Sequence, residues 1–309
     1  MSGIGTAALG MKPWTAVVLA CLMITAVGRA ETSIADRGAV TLAHPKQAGM
    51  GQPFLVRLTS TQPFDRISVH WMGRVVVPSV SRWNGRYVAI ALLGTDLLTI
   101  RPGPQTLTFR VLTGEEEAVR HRSVNIVARS YPRQELSLPP RMVTPPSAEL
   151  ERIKAERVRT QKAKNTWSAR RLWQLPFHRP VGGKTTSIYG LQRVLNGKPK
   201  NPHRGLDFRA PTGTAVEAVA AGRVILAESH YYAGNSIYID HGNGVISLYF
   251  HLSAFDAARG DIVKRGQVIG RAGSTGRSTG PHLHLSVSVQ GQLVDPAPLL
   301  ERTTDELLK

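Results

Sequence analysis

The sequence predicts a mainly β protein in which two β domains are joined by a basic, helical connector. Short β-type runs recur between turn residues over 31–130, and a Pro-rich stretch followed by a charged one fills 131–175. Glycine-punctuated runs that alternate apolar and polar residues fill 176–309. A chain of 309 residues is also long enough for two domains of ordinary size.

The first thirty residues have the features of a secretory signal peptide. Lys12 supplies the positive charge, residues 15–27 are apolar, and residues 28–30 form a small-x-small cleavage site. A membrane-spanning helix would need roughly 20 apolar residues. We therefore expect cleavage after Ala30, a periplasmic or envelope-associated protein and no stable membrane anchor, in preference to an uncleaved anchor or a lipoprotein signal at Cys21.

Composition limits the partners and the metal ligands that the chain can use. Cys21 is the only cysteine, so the mature protein would have neither disulfides nor thiolate ligands, and a metal site must use His and carboxylate. The net charge of +18 would suit an anionic envelope. Export and the lack of aromatic-interleaved basic motifs argue against a nucleic-acid partner.

Residues 31–130 predict an immunoglobulin-like β-sandwich. Six β-type runs in about 100 residues, separated by turns such as Asn84-Gly85, are typical of that architecture. The histidines of this segment are scattered and form no polar cluster, so we expect no active site here. The sandwich could dock an envelope partner, or it could fold back with the connector and restrict access to a site elsewhere. The runs are PFLVRLT, RISVHWM, RVVVPSV, RYVAIAL, QTLTFRVLT and RSVNIVA.

Residues 131–175 predict a connector that spaces the two domains. Its Pro-rich start favours an extended chain. Ser147 could cap a helix over residues 148–167, with acidic residues in the first turn. The apolar stripe of this helix is thin, so we expect it to be largely exposed.

Residues 176–309 predict a compact, mostly antiparallel β domain, in which residues 240–244 (DHGNG) form a tight hairpin turn. Four histidines and an aspartate in this domain could build an open zinc site with two proton-handling groups beside it. Catalytic zinc takes three ligands from His and carboxylate and leaves a position open for water. Residues i and i+2 of a strand share a face, so the histidines of H-x-H would project together, and either could ligate. The five residues are His203, Asp207, His251, His282 and His284.

The order of these motifs closely resembles that of the lysostaphin/LytM-type zinc metalloendopeptidases over residues 183–298. The H-x3-D motif begins at His203, YFHL contains His251, and GPHLH contains the last two histidines. The resemblance implies a domain of the duplicated hybrid motif type with one Zn²⁺ per chain. It assigns His203, Asp207 and His284 as ligands, and His251 and His282 as the proton-handling pair.

The same resemblance implies a function in peptidoglycan. Zinc-bound water would attack a peptide bond of a stem-peptide cross-link, while one histidine takes the proton and the other assists the intermediate or the leaving amine. The two-domain layout favours the bond between D-Ala and meso-diaminopimelate. The alternative is a catalytically silent wall-binding regulator or activator of another hydrolase. Four further residues are expected to line the substrate groove: Asn235, Tyr249, Ser278 and Thr279.

Overall fold

The structure is a computed structural model that describes residues 40–309. The expected signal peptide, its cleavage site and Cys21 lie outside the described residues. Between residues 40 and 309, no helix combines the length and the apolar character that crossing a membrane requires. The predicted mainly β class is confirmed, because strands outnumber helices by far throughout the described chain.

Two facing sheets form the N-terminal domain. Its strands are β1 (Val40–Ala43), β2 (Gln47–Gly49), β3 (Pro53–Ser60), β4 (Arg66–Trp71), β5 (Arg74–Val76), β6 (Val80–Trp83), β7 (Arg86–Gly94), β8 (Gly103–Thr113) and β9 (Glu116–Val127). One sheet has the order β1-β3-β7-β6 and the other β2-β9-β8-β4-β5, with only the β2–β9 pair parallel. These sheets match a sandwich, whereas the immunoglobulin-like topology stays a prediction.

All six predicted runs fall on strands of this sandwich, although the third run is divided. Strand β5 ends at Val76 and β6 begins at Val80. Pro78 lies between them, and proline has no N–H to donate to a strand ladder. On the inner faces Trp71 meets Phe54 edge-on, at 5.1 Å between ring centroids, and donates its indole N–H to the Gly94 carbonyl at 2.8 Å. The inward-facing side chains of both sheets therefore form one shared core.

The connector packs against the C-terminal domain and does not act as a spacer, which corrects the sequence prediction. Strand β10 (Arg133–Leu136) pairs in parallel with a strand of the C-terminal domain, and α1 (Pro140–Val143) follows it. A 3₁₀ turn (Ser147–Glu149) then leads into α2 (Leu150–Lys164). Ser147 makes no side-chain cap, because it lies inside the 3₁₀ turn and Glu149 occupies the cap position of α2.

Helix α2 is fixed to the C-terminal domain by one buried acidic side chain. The Glu156 carboxylate accepts hydrogen bonds from Arg152 Nε at 2.8 Å and from the Tyr231 backbone N–H at 2.9 Å. Farther along the helix, Arg159 pairs with Glu228 at 2.9 Å. The exposed surface that the sequence predicted is present at Val158, which is 66% accessible. The helix thus packs on one face of the sheet, where Ala163 joins Leu226, Tyr238 and Leu248, and leaves its other side in solvent.

Replacing Glu156 with alanine is expected to lower the free energy of unfolding by about 1–3 kcal/mol, because two hydrogen bonds to a buried charge are lost. Glu151 on the same helix is exposed. Its replacement with alanine should therefore change stability by less than about 0.5 kcal/mol. Urea unfolding of both variants measures the difference. Equal stabilities would contradict a docked helix.

One large antiparallel sheet dominates the C-terminal domain. Its strand order is β11-β14-β21-β18-β17-β16-β19, with β15, β20 and β22 attached beside this path. A small separate sheet has the order β10-β12-β13. The hairpin predicted at DHGNG is confirmed between β17 and β18, where Asn243 and Gly244 have positive φ. The elements are β11 (Thr185–Ser187), β12 (Gln192–Leu195), β13 (Lys198–Pro199), β14 (Leu206–Arg209), β15 (Ala215–Glu217), β16 (Gly222–His230), β17 (Gly234–Asp240), β18 (Val245–Phe255), β19 (Ile262–Val263), β20 (Val268–Ala272), β21 (His282–Val289), β22 (Gln292–Val294) and α3 (Ala297–Glu301).

The two domains share a packed interface. Leu55 and Leu92 of the sandwich belong to the hydrophobic core of the C-terminal domain. Gly94 lies so close to this domain that a Cβ there would be 2.7 Å from Cγ1 of Val294. The end of the chain returns to the sandwich, where the Leu55 N–H donates to the Leu307 carbonyl at 3.1 Å. The boundaries predicted at 130 and 175 therefore separate segments that pack against each other, although the sandwich also has a core of its own.

Candidate metal centre

Two neighbouring strands and the loop before them bring three polar side chains together. Asp207 on β14 lies directly opposite His284 on β21, and His203 precedes β14. The Asp207 Oδ1 atom is 3.0 Å from His203 Nε2 and 2.7 Å from His284 Nδ1, and the two nitrogens are 2.9 Å apart. All three side chains are buried. The structure thus joins the three residues that the family resemblance assigned as ligands.

Gly205 makes this close approach sterically feasible. A Cβ at this position would lie 2.5 Å from both His284 Nε2 and the Leu285 carbonyl oxygen. Real Cβ atoms do not approach other atoms so closely, and backbone cannot yield as a flexible side chain can. The backbone bends at Gly205, and the absence of a side chain also leaves room for the His284 ring.

Hydrogen bonds outside the cluster determine which ring nitrogens carry protons. His203 Nδ1 lies 2.8 Å from the Ile188 carbonyl, which can only accept. His284 Nε2 lies 2.7 Å from Ser286 Oγ, whose own proton goes to the Arg204 carbonyl at 2.7 Å. In the neutral imidazoles His203 Nε2 and His284 Nδ1 are therefore unprotonated.

Three electron-pair donors consequently face one another with no proton between them. Such an arrangement is repulsive without a cation, and two imidazoles with one carboxylate are the donor set of catalytic zinc. The donor atoms lie within 4.8 Å of one another, as one ion requires. The residues present therefore fit a metal of the zinc type, held by His203 Nε2, Asp207 Oδ1 and His284 Nδ1.

Arg193 adds a charge that the sequence did not indicate. Its guanidinium on β12 donates to Asp207 Oδ2 at 3.0 Å, so the second carboxylate oxygen faces away from the histidines. Burial raises the pKa of Asp207, whereas hydrogen bonds from His203 and His284 in their protonated forms would lower it by more, so the net shift is downward. Asp207 is thus an anion with one oxygen directed at the cluster.

A β-bulge directs His251 toward the same place. Tyr249 pairs with Ile237 while Leu252 pairs with Asn235, so β18 has one residue more than β17 in this interval. His251 has a φ of 63°, an uncommon value outside glycine and one that recurs at functional sites. Its Nδ1–H donates to the Thr275 carbonyl at 2.8 Å, which leaves Nε2 as an acceptor.

His251 is held in its neutral form. Burial, followed by the nearby His282 and His284, lowers the pKa of His251 to about 3. Burial likewise lowers the pKa of His284 to about 4. Both rings can therefore offer a lone pair at neutral pH.

His282 completes the arrangement from the first position of β21. Its ring centroid is 4.7 Å from that of His251, and its Nε2 is 3.8 Å from Asp207 Oδ1. Its Nδ1–H donates to the Gly280 carbonyl at 2.8 Å, so Nε2 is the acceptor. The expected alignment of the H-x-H histidines is confirmed, and His282, with a side chain 18% accessible, marks the open side of the cluster.

The four residues expected in the groove have different surroundings. Asn235 is half-buried on β17 beside the bulge, and Thr279 is exposed on the loop before β21. Ser278 bonds within that loop, donating to the Gly280 carbonyl at 2.7 Å. Tyr249 corrects the prediction, because its ring is fully buried in the core and its hydroxyl accepts the Val219 N–H at 2.8 Å.

Ser286 supports the metal ligand His284, and extending the H-x-H motif by two residues to H-x-H-x-S would have indicated it. It continues the alternation of His282 and His284 along the same face of β21, and it fixes the proton on His284. Partners that orient a ligating histidine raise its basicity and limit its rotation. Arg193, by contrast, has no sequence signal, since it reaches Asp207 only through the placement of β12.

Replacing Ser286 with alanine is expected to weaken Zn²⁺ binding by about 10- to 100-fold, because His284 loses the acceptor that fixes its tautomer. Ser288 is a buried serine on the same strand whose hydroxyl lies farther from its acceptor, at 3.4 Å from the Lys164 carbonyl. The Ser288→Ala variant serves as the control and should bind Zn²⁺ with the affinity of the unmodified protein. Competition with a fluorescent chelator measures both affinities, and equal affinities would exclude this role of Ser286.

Comparison with known proteins agrees with this geometry. The sequence model of peptidase family M23 matches residues 201–296, which contain all five predicted site residues. These residues form a peptidase M23 domain. It is the family that the H-x3-D and H-x-H motifs indicated.

Relatives of the M23 domain have similar sequences over a short region. A DD-carboxypeptidase/endopeptidase Mpg of Neisseria meningitidis is 51% identical over 94 residues, which are 30% of this chain and 22% of that protein. The peptidoglycan DD-endopeptidase ShyA of Vibrio cholerae is 47% identical over 94 residues, which are again 30% of this chain and 22% of that protein. The chain thus spans about a fifth of the length of these curated relatives.

Similarity of fold extends beyond the M23 domain. A crystal structure described as a peptidase M23 from Pseudomonas aeruginosa is 29% identical to this chain, with a TM-score of 0.59. The match covers 86% of this chain and 96% of that one. The β domain before the M23 domain is therefore included in the similarity.

Proposed function

We propose that this protein is a zinc-dependent endopeptidase that hydrolyses peptide cross-links of peptidoglycan. One observation carries the proposal: three unprotonated donors of His203, Asp207 and His284 converge beside the free nitrogens of two further histidines. A silent wall-binding protein would have no need for this convergence. The names of two relatives, an endopeptidase of the DD type and a peptidoglycan DD-endopeptidase, agree with the substrate class.

The two additional histidines have the geometry of a proton-transfer pair. A bound Zn²⁺ would supply a Lewis acid that polarises the scissile carbonyl and acidifies water. His251 Nε2 is unprotonated and held by the Thr275 carbonyl, so it can accept a proton from water. His282 lies on the open side, where a substrate enters, and its unprotonated Nε2 can first take up a proton and then deliver it to the leaving amine.

We propose the bond between D-Ala and meso-diaminopimelate as the target. The DD specificity in the names of the two relatives supports this choice. Such a substrate requires export, for which the expected signal peptide would serve. The positive charge of the chain favours residence at an anionic envelope.

Digestion of purified peptidoglycan tests the proposed function. Residues 31–309 with Zn²⁺ should convert cross-linked dimers to monomers and leave the glycan strands intact, as read by mass spectrometry. The Asp207→Ala variant is the control and should release no monomers. If the unmodified protein binds the wall but leaves the dimers unchanged, the regulator or activator function replaces the enzymatic one.

A further inference from the structure

The loop between β20 and β21 forms one wall of the candidate site. Its Thr275 carbonyl holds His251, and its Ser278 hydroxyl lies 3.2 Å from His282 Nδ1. Arg277 lies between these two anchors, and its backbone N–H donates to the Tyr232 carbonyl at 2.8 Å. The loop therefore brings a cation into the wall that orients both proton-transfer histidines.

The Arg277 guanidinium is partly buried and forms no ion pair with a carboxylate of residues 40–309. It lies over the Tyr232 ring, at 4.5 Å from the centroid. Stacking on an aromatic face fixes the guanidinium plane and leaves its N–H edge free for an anion. Arg271 of the preceding strand differs, because its Nε is paired with Asp256 at 2.8 Å.

Arg193 and Arg277 belong to different elements, yet they are close enough for their charges to repel each other. Burial lowers the pKa of Arg277, Tyr232 opposes this shift, and the positive charge of Arg193 adds a smaller effect in the same direction as burial. The charge of Arg193 is already balanced by Asp207. The unbalanced cation beside the site is therefore Arg277, and an incoming anion would relieve the repulsion between the two arginines.

We propose that Arg277 binds a substrate carboxylate adjacent to the scissile bond. This inference rests on the proposed function. In a cross-link to meso-diaminopimelate, the carbon that bears the leaving nitrogen also bears a free carboxylate. That carboxylate enters the site together with the scissile bond, and a guanidinium can bind it through two parallel hydrogen bonds.

The consequence is selectivity for one class of cross-link. A bond inside a glycine bridge has no free carboxylate on its leaving residue, because that carboxyl group continues the chain. Arg277 would then remain without its partner, which disfavours such a substrate. Arg277 thus becomes the specificity-determining residue of the site.

Two cross-linked peptide dimers that differ in a single group test this role. One has the free carboxylate beside the leaving nitrogen, and the other has a carboxamide there. The zinc-loaded protein should cleave the carboxylate dimer about 10- to 100-fold more efficiently in kcat/KM. Arg277→Gln should lose this preference, mainly through a higher KM for the carboxylate dimer. Arg277→Lys should retain part of it, since lysine keeps the charge and loses the planar fork.

Arg271→Gln is the matched control, because Arg271 has its own carboxylate partner, and its preference should equal that of the unmodified protein. Zinc content and thermal unfolding of each variant verify that the site is intact. If Arg277→Gln is loaded with zinc and retains the full preference for the carboxylate dimer, the inference is overturned. Failure of the unmodified protein to cleave either dimer would overturn the proposed function itself, a distinct result.

Discussion

Replacing His203 with alanine is expected to abolish both stoichiometric zinc binding and cleavage of peptidoglycan cross-links. Only Asp207 and His284 would remain as donors, and catalytic zinc sites depend on three protein ligands. His203 Nε2 lies 3.0 Å from Asp207 Oδ1 and 2.9 Å from His284 Nδ1, so its loss removes one of the three converging donors. Mass spectrometry of the metal measures the zinc content after dialysis. This content and the release of monomers from the wall should both fall.

A histidine outside the cluster gives the matched control for this result. His178 lies in the same domain and pairs with Glu217. His178→Ala should retain zinc and cleavage. The assignment of the metal ligands would be wrong if the His203→Ala protein still bound one zinc per chain. It would also be wrong if that protein still cleaved cross-links.

The second large effect concerns His251. Substitution by asparagine is expected to lower kcat by about 10²- to 10⁴-fold, the range for loss of a general acid or base. Asparagine is chosen because it tolerates the positive φ of this position better than alanine does. Zinc affinity should stay nearly unchanged, because His251 is not one of the three converging donors.

Kinetics and metal binding together distinguish His251 from a ligand. Steady-state cleavage of a soluble cross-linked dimer gives kcat, and chelator competition gives the zinc affinity. A matched variant, His178→Asn, makes the same substitution at a histidine outside the cluster and should leave both kcat and zinc affinity unchanged. If His251→Asn loses zinc as readily as His203→Ala, then His251 supports the metal site and does not transfer protons.

Much of this site could be predicted from sequence because strand geometry converts spacing into position. The H-x-H motif places two histidines on one face, and glycine at position 205 allows the third ligand to approach. Tyr249 shows where this reasoning fails. An undistorted strand would put Tyr249 and His251 on the same face, but the bulge between them sends one into the core and the other to the site.

The contributions of distant segments could not be predicted in this way. Arg193 reaches Asp207 from β12, whose position depends on pairing with β10 of the connector, about 60 residues earlier in the chain. The same long-range contacts explain the connector itself. Its polar composition predicted a spacer, whereas Glu156 and Arg159 bind partners on the C-terminal domain and dock the helix there.

One metal ion in the cluster is expected to enable hydrolysis of the cross-link. Titration of Zn²⁺ into chelator-stripped protein, with the rate of dimer cleavage measured at each step, tests it most directly. We predict no cleavage without metal and a rise that is linear up to about one bound equivalent per chain. Cleavage by the stripped protein, or none when that equivalent is bound, would contradict this account.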